Sequence, residues 1–350
     1  MARALAVVGM VMVHIGPVRM EGSGLVGAAY RLPHGRASIL FVVVAGIGVS
    51  LLAGDRGRER VRGTTARLLW SALVLLPVGL ALQTLPVNVA VILHFYAFYF
   101  LLAIVALRLP DRVLVVLCGV SALLGPVAVL AARRQRPEWF APGFPEWTDA
   151  GHVARDLVIS GTYPAVVWAV PLLAGMWVGR QDLRSSSVAW RLAAGGAVLA
   201  AASFAAHDRL SAWLGTPVSE ADWRQLVALA PHNEMPLWVL SSTGIALTVV
   251  GCCMLLARAL PRLVWPAVAL GQLALTVYVA QVLVLAARPA WLERDTFSSA
   301  WWSVGRFALV ALVLVSVWRA FASRGPLEAL LHIPWWLARK RGSPEVRRIE

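Results

Sequence analysis

Charge is what this chain has least of. Only 14% of its 350 residues are Asp, Glu, Lys or Arg, against roughly a quarter in soluble domains. With 59% hydrophobic residues and a mean hydropathy of +0.72, that shortage excludes an ordinary water-soluble domain. Short segments of alternating polarity are missing too. Residues 113–132 and 263–287 are apolar runs that do not alternate, which speaks against a membrane β-barrel. Cysteine is scarce and badly spaced for chemistry. Cys118, Cys252 and Cys253 all sit in apolar runs, and one thiol plus a distant adjacent pair suits neither a zinc site nor a disulfide framework. They read as helix-packing residues. No internal repeat is visible. The net charge of +14 does not indicate a nucleic-acid partner, because the arginines are scattered between apolar segments rather than gathered on one face.

What remains is an all-α, polytopic integral membrane helix bundle. The apolar runs have a length suited to crossing hydrocarbon, and about ten are expected. They begin with residues 1–18, 36–53, 68–85, 89–109 and 113–132, and a sixth ends at Gly179. Residues 189–206, 237–260, 264–287 and 300–322 complete the set. The opening run lacks a small-x-small cleavage site, and Gly16-Pro17 reads as a helix exit, so a first span is expected rather than a secretory signal. It is cut close at its start, as if an upstream stretch were missing. Four regions follow: an N-terminal membrane half (1–132), an extracytoplasmic insert (133–156), a C-terminal membrane half (157–322) and a basic cytoplasmic tail (323–350). Trp139, Phe140 and Trp147 of the insert suit a membrane interface. With both termini cytoplasmic, most of the 32 basic residues fall on the inner side, as the positive-inside rule requires. A multi-pass protein of the plasma membrane, with the lipid bilayer as its first partner, is expected.

Polar side chains inside spans are costly and tend to face the bundle interior, so each is a candidate. Arg3 and His14 are eleven residues apart, close to three turns, and share a face of the first helix. His34 lies in a Pro33-His34-Gly35-Arg36 turn at the outer mouth of the second helix. Imidazole titrates near neutral pH, as general acid–base work needs, and glycine beside it permits close approach. Asn88, Tyr96 and Tyr99 are placed on the fourth helix, with Asn88 and Tyr99 on one face; packing across helices is the competing reading for them. Tyr278 and Gln281 form an i, i+3 pair in the ninth helix, as interhelical glue or pocket lining. His232, in a His-Asn-Glu cluster before the eighth, is either an acceptor-binding residue or a solvated loop. Arg306 reads as a snorkelling side chain. In the inner loop, Arg56, Arg58, Arg60 and Arg62 are sufficient as topology signals, yet they also suit a phosphate group.

Three stretches together resemble the heparan-α-glucosaminide N-acetyltransferase-like family of bacterial membrane proteins. They are Arg3-Ala-Leu-Ala-Val-Val-Gly-Met with His14, the Pro33-His34-Gly35-Arg36 turn followed by Leu40-Phe41 and Ala45-Gly46, and a C-terminal half. That half contains Gly271-Gln-Leu-Ala-Leu-Thr-Val-Tyr278 and Arg324-Gly-Pro-Leu-Glu328, like the domain of unknown function often attached to such proteins. The resemblance covers most of the chain. It implies a transmembrane acyltransferase that takes an acetyl group from cytosolic acetyl-CoA, with no metal, and delivers it to an extracytoplasmic acceptor such as an envelope glycan. His34 falls at the family's loop histidine, and His14 where the family places an asparagine. On that reading His34 is the base or a transient acyl carrier, Arg36 binds the acceptor or the oxyanion, and Arg3 and the inner-loop arginines hold coenzyme A. Asn88, Tyr96, Tyr99, His232, Tyr278 and Gln281 are then substrate-lining. A second copy of the chain is a further candidate partner. The rival class is a transporter or flippase for a small polar or lipid-linked solute.

Overall fold

The structure, a computed structural model, describes residues 1–16, 24–54, 58–140, 149–292 and 294–334. Arg56, Trp147 and the basic tail beyond 334 lie outside the described residues. No strand occurs among those described. The helices in chain order are α1 (Ala2–Ile15), α2 (Gly24–Arg31), α3 (Arg36–Ala53), α4 (Arg58–Gln83), α5 (Leu93–Ala106), α6 (Asp111–Gln135), α7 (Ala150–Arg155) and α8 (Ala165–Val178). They continue with α9 (Ser186–Leu214), α10 (Pro236–Ala259), α11 (Trp265–Gln272), α12 (Ala274–Ala287), α13 (Pro289–Leu292), α14 (Phe297–Phe321) and α15 (Pro326–Leu330).

Each expected apolar run is helical, but the runs differ in what they can cross. Among the described residues six helices are long and apolar enough to span a membrane, and two bent pairs raise the number to eight. α1 and α5 have 14 residues each, about 21 Å at 1.5 Å per residue, short of a hydrocarbon layer of roughly 30 Å. Two further runs are broken. The chain bends by 59° between Ala150–Ser160 and Ala165–Val178, where Pro164 cannot continue a helix begun before it. It bends by 74° between α11 and α12, at Leu273, where no proline stands.

Two compact units result. The first is drawn from Met1–Ala37, Leu52–Arg108 and Ala257–Glu350, the second from Ser38–Leu51 and Leu109–Leu256. In the first, α1 packs against α11, α12 and α14, and α4 packs along α5. Buried Gln83 closes the α4–α5 connection by donating to the Val89 carbonyl at 3.2 Å and accepting from the Val91 amide at 2.8 Å. Tyr30 of α2 donates its hydroxyl to the Met12 carbonyl at 2.7 Å and wedges its ring between Phe297 and Trp301 of α14.

The second unit relies on close helix crossings. A Cβ on Gly46 would strike the Leu172 carbonyl, and one on Gly175 the Val43 carbonyl, so the two glycines let α3 and α8 touch backbone to backbone. Ser50 reinforces the crossing by donating to the Met176 carbonyl at 2.7 Å. α9 and α10 meet in the same way through Gly196, Gly244 and Gly251, with the Thr248 hydroxyl donating to the Ala193 carbonyl at 3.2 Å. Small residues at such contacts are the means by which helices associate without water to drive them. Half-buried Cys118 packs its thiol against the Val170 carbonyl, consistent with a packing role.

Gly175→Ala should therefore lower the melting temperature of the detergent-solubilised protein, because the added methyl meets fixed backbone. Gly119→Ala on α6 is the control: nothing lies within 4 Å of its Cβ position, and alanine adds up to ~1 kcal/mol of helix propensity. Thermal unfolding followed by size-exclusion chromatography separates the two outcomes.

Candidate active site

The first unit gathers most of the expected site residues around α1. Arg3 and His14 stand roughly 16 Å apart along it. At the His14 end, Nδ1 lies 3.0 Å from Gln281 Oε1 on α12. An amide oxygen only accepts, so Nδ1 carries the hydrogen and Nε2 of the neutral ring carries the lone pair. The Tyr278 ring meets the same imidazole edge-on, with centroids 6.1 Å apart. Gln281 is 1% exposed and its Nε2 has no hydrogen-bond partner among the described residues, so it is a buried donor open to a ligand or water.

His34 joins this group from the turn between α2 and α3. Its amide donates to the Arg31 carbonyl at 3.1 Å, and the turn closes through Gly35 at φ 70°, a left-handed conformation suited to glycine. The ring lies beside Tyr30, centroids 6.4 Å apart, and within electrostatic reach of His14. Gly9 makes room for the turn: a Cβ there would come within 2.9 Å of Ala37 Cβ and 3.3 Å of Pro33 Cβ. Arg36 donates to the Leu32 carbonyl at 3.1 Å, so part of its guanidinium is committed to its own turn.

At the other end of α1, half-buried Arg3 is within electrostatic reach of Tyr96 and Glu328. Tyr96 and Tyr99 are buried neighbours on α5, centroids 5.7 Å apart. Asn88 does not join them. α5 begins only at Leu93, so Asn88 is an exposed residue of the connection, and the shared helix face expected with Tyr99 does not exist. Arg58 opens α4, and Arg60 and Arg62 are exposed on it. Arg306 is exposed on α14. Among the described residues no group of three or more His, Cys, Asp or Glu is placed to hold a metal ion.

Residues 231–235 of the second unit hold a cluster that sequence reasoning saw only as His232-Asn233-Glu234. His232 and Glu234 both adopt left-handed backbone, φ 57° and 61°, a conformation costly for side-chain-bearing residues. The His232 ring stacks on Trp168 and faces Tyr163 and Trp238. Glu234 is 3% exposed; its Oε2 accepts from Trp168 Nε1 at 2.8 Å, while Oε1 stands 3.8 Å from His232 Nδ1, too far for a hydrogen bond. Trp168 had no polar signal in the sequence, and its role appears only once α8 meets this loop. Burial pushes the Glu234 carboxyl up from its ordinary value, against the opposing pull of His232, Trp168 and Arg133.

A raised carboxyl favours the neutral form of the folded state, and that stability fades as pH rises through the folded pKa. The wild-type melting temperature should consequently fall on the alkaline side, while Glu234→Gln, neutral at every pH, should hold its value there. Parallel melting curves for the two proteins would show the carboxyl is not the group involved.

The chain also matches the family of heparan-alpha-glucosaminide N-acetyltransferase catalytic domains over residues 1–218. No curated protein matches it. The matched stretch contains Arg3, His14, His34 and Arg36, whereas Tyr278, Gln281 and Glu328 come from beyond it. An all-helical chain with several membrane-crossing helices, two histidines brought together at one end of α1, and a family match across more than half its length agree: the chain belongs to the heparan-alpha-glucosaminide N-acetyltransferase catalytic-domain family, a family of multi-pass membrane acetyltransferases.

Proposed function

We propose that the protein transfers an acetyl group from cytosolic acetyl-CoA to a saccharide of the cell envelope on the far side of the plasma membrane. The observation that carries this reading is the His14–Gln281 contact beside His34 in a chain of this family. It supplies an oriented imidazole with a free lone pair, the arrangement a proton acceptor needs. The acceptor nucleophile attacks the thioester carbonyl, and its proton passes to the histidine pair. The tetrahedral oxyanion then collapses, the C–S bond breaks, and the coenzyme A thiolate takes up a proton as it leaves. A thioester is already activated, so orientation and oxyanion stabilisation are the remaining requirements. Gln281 Nε2, which has no partner among the described residues, suits the second of these.

Exposed Arg60 and Arg62 at the start of α4, with Arg56 and Arg58, suit the phosphates of coenzyme A if this end of α4 faces the cytosol. Arg3 suits them less, being half-buried and near Glu328. Termini on the cytosolic side accord with this orientation. A second reading, a solute carrier or flippase, is favoured by the two broken spans, since transporters build their sites from interrupted helices.

Acetyl-CoA should raise the melting temperature of the purified protein, and labelled acetyl-CoA given to inverted vesicles should label an envelope saccharide. His34→Ala and His14→Ala should each cut labelling by at least ~100-fold, the usual worth of a general base, with the acetyl-CoA stabilisation retained. Stabilisation by a polar solute alone, with no labelling, would favour the carrier. Unchanged turnover in either variant would remove that histidine from the chemistry.

A further inference from the structure

The break between α11 and α12 falls at Leu273, two residues after Gly271 and with no proline at the bend, and a carboxylate from far along the chain sits on it. Glu328 Oε1 accepts from the Leu275 and Thr276 amides at 2.8 and 3.1 Å, and Oε2 accepts from the Thr276 hydroxyl at 2.6 Å. The Leu327 amide donates back to Thr276 Oγ1 at 3.2 Å, closing a reciprocal box. Gly325 is needed for this approach, because a Cβ there would meet both Glu328 Oε2 and Thr276 Oγ1. The first amides of any helix lack intrahelical partners, and in hydrocarbon no water replaces them. An anionic cap at that end also meets the positive end of the helix dipole.

The same short helix carries both groups that touch the His14 ring. Tyr278 and Gln281 follow Thr276 by two and five residues, within about 7.5 Å of rise. Glu328 is also within electrostatic reach of Arg3, at the opposite end of α1 from His14. Fixing the first turn of α12 therefore fixes where Gln281 Oε1 stands along α1, and with it which nitrogen of His14 is protonated.

We infer that Glu328 is a positioning residue: acting through α12, it holds Gln281 against His14 and so locks the imidazole in its Nδ1–H tautomer. The inference rests on reading His14 as part of the site, but not on the identity of either substrate. Its consequence for transfer is a loss in kcat with little change in the KM for acetyl-CoA, because the clamp orders the base and not the donor.

The test is nitrogen-15 NMR of the full-length protein in lipid, labelled at histidine, with His14→Gln identifying the signal. Wild type should show His14 as the Nδ1–H tautomer, and Gln281→Leu should convert it to a mixture. Glu328→Gln keeps an oxygen for the amides but loses the charge and one acceptor; it should produce the same mixture while eluting as a folded protein. Thr276→Ser, which keeps the hydroxyl, should restore wild-type behaviour. If Glu328→Gln does not fold, Thr276→Val removes the Oε2 contact and should give the mixture. An unchanged Nδ1–H signal in the folded Glu328 or Thr276→Val variant overturns the inference. So does a wild-type His14 that is not protonated at Nδ1. A shifted tautomer in a protein that transfers no acetyl group leaves the clamp standing and overturns only the proposed reaction.

Discussion

Inside hydrocarbon a backbone amide or carbonyl has no water to turn to, and the rest of this structure follows from that constraint. At several places where the described chain departs from continuous helix, a side chain takes over the missing partner. Gln83 serves both an amide and a carbonyl in the α4–α5 connection. Tyr30 takes the Met12 carbonyl, Ser50 the Met176 carbonyl, and Glu328 two amides of α12. The end of α1 is met by the Arg294 amide, which donates to the Ile15 carbonyl at 3.1 Å. Polar residues in an apolar chain are thus first a solution to a bonding problem, and only some become chemistry.

This duality explains how far the sequence could be read. The helices were legible because apolar runs of spanning length have few other fates in a chain so poor in charge; α3 coincides with residues 36–53 as expected. The break at Pro164 carried a signal. That at Leu273 had only Gly271 nearby, and the carboxylate that caps the helix after it, Glu328, lies more than fifty residues away. Spacing along one helix placed Tyr96 beside Tyr99 correctly but misplaced Asn88, because a face shared at helical spacing requires the helix to include both residues. The pairing of His14 with Gln281 was beyond any such argument. Each was visible as a polar side chain in a span, but their separation of 267 positions can be bridged only by the fold.

The family match and the structural units divide the chain differently. Residues 1–218 contribute to both units, and α3 has its ends in the first and its middle in the second. His14 and His34 belong to the matched stretch, whereas the side chains that orient and pack His14 come from beyond it. A fragment ending at residue 218 would keep both histidines and lose what orients one of them. The C-terminal helices are accordingly part of the candidate site's construction rather than an appendage to it.

The brevity of α1 and α5 has a mechanical corollary. A helix about 21 Å long in a layer of roughly 30 Å creates hydrophobic mismatch, relieved by local thinning of the bilayer or by polar side chains reaching out from its ends. α1 carries such groups, Arg3 at one end and His14 at the other. α4 and α14 of the same unit have 26 and 25 residues and pack against α5 and α1, so the short path is confined to α1 and α5 themselves. A group carried along α1 from one aqueous phase toward the other would cross a shorter apolar stretch, between Arg3 and His14, than one passing along α4 or α14.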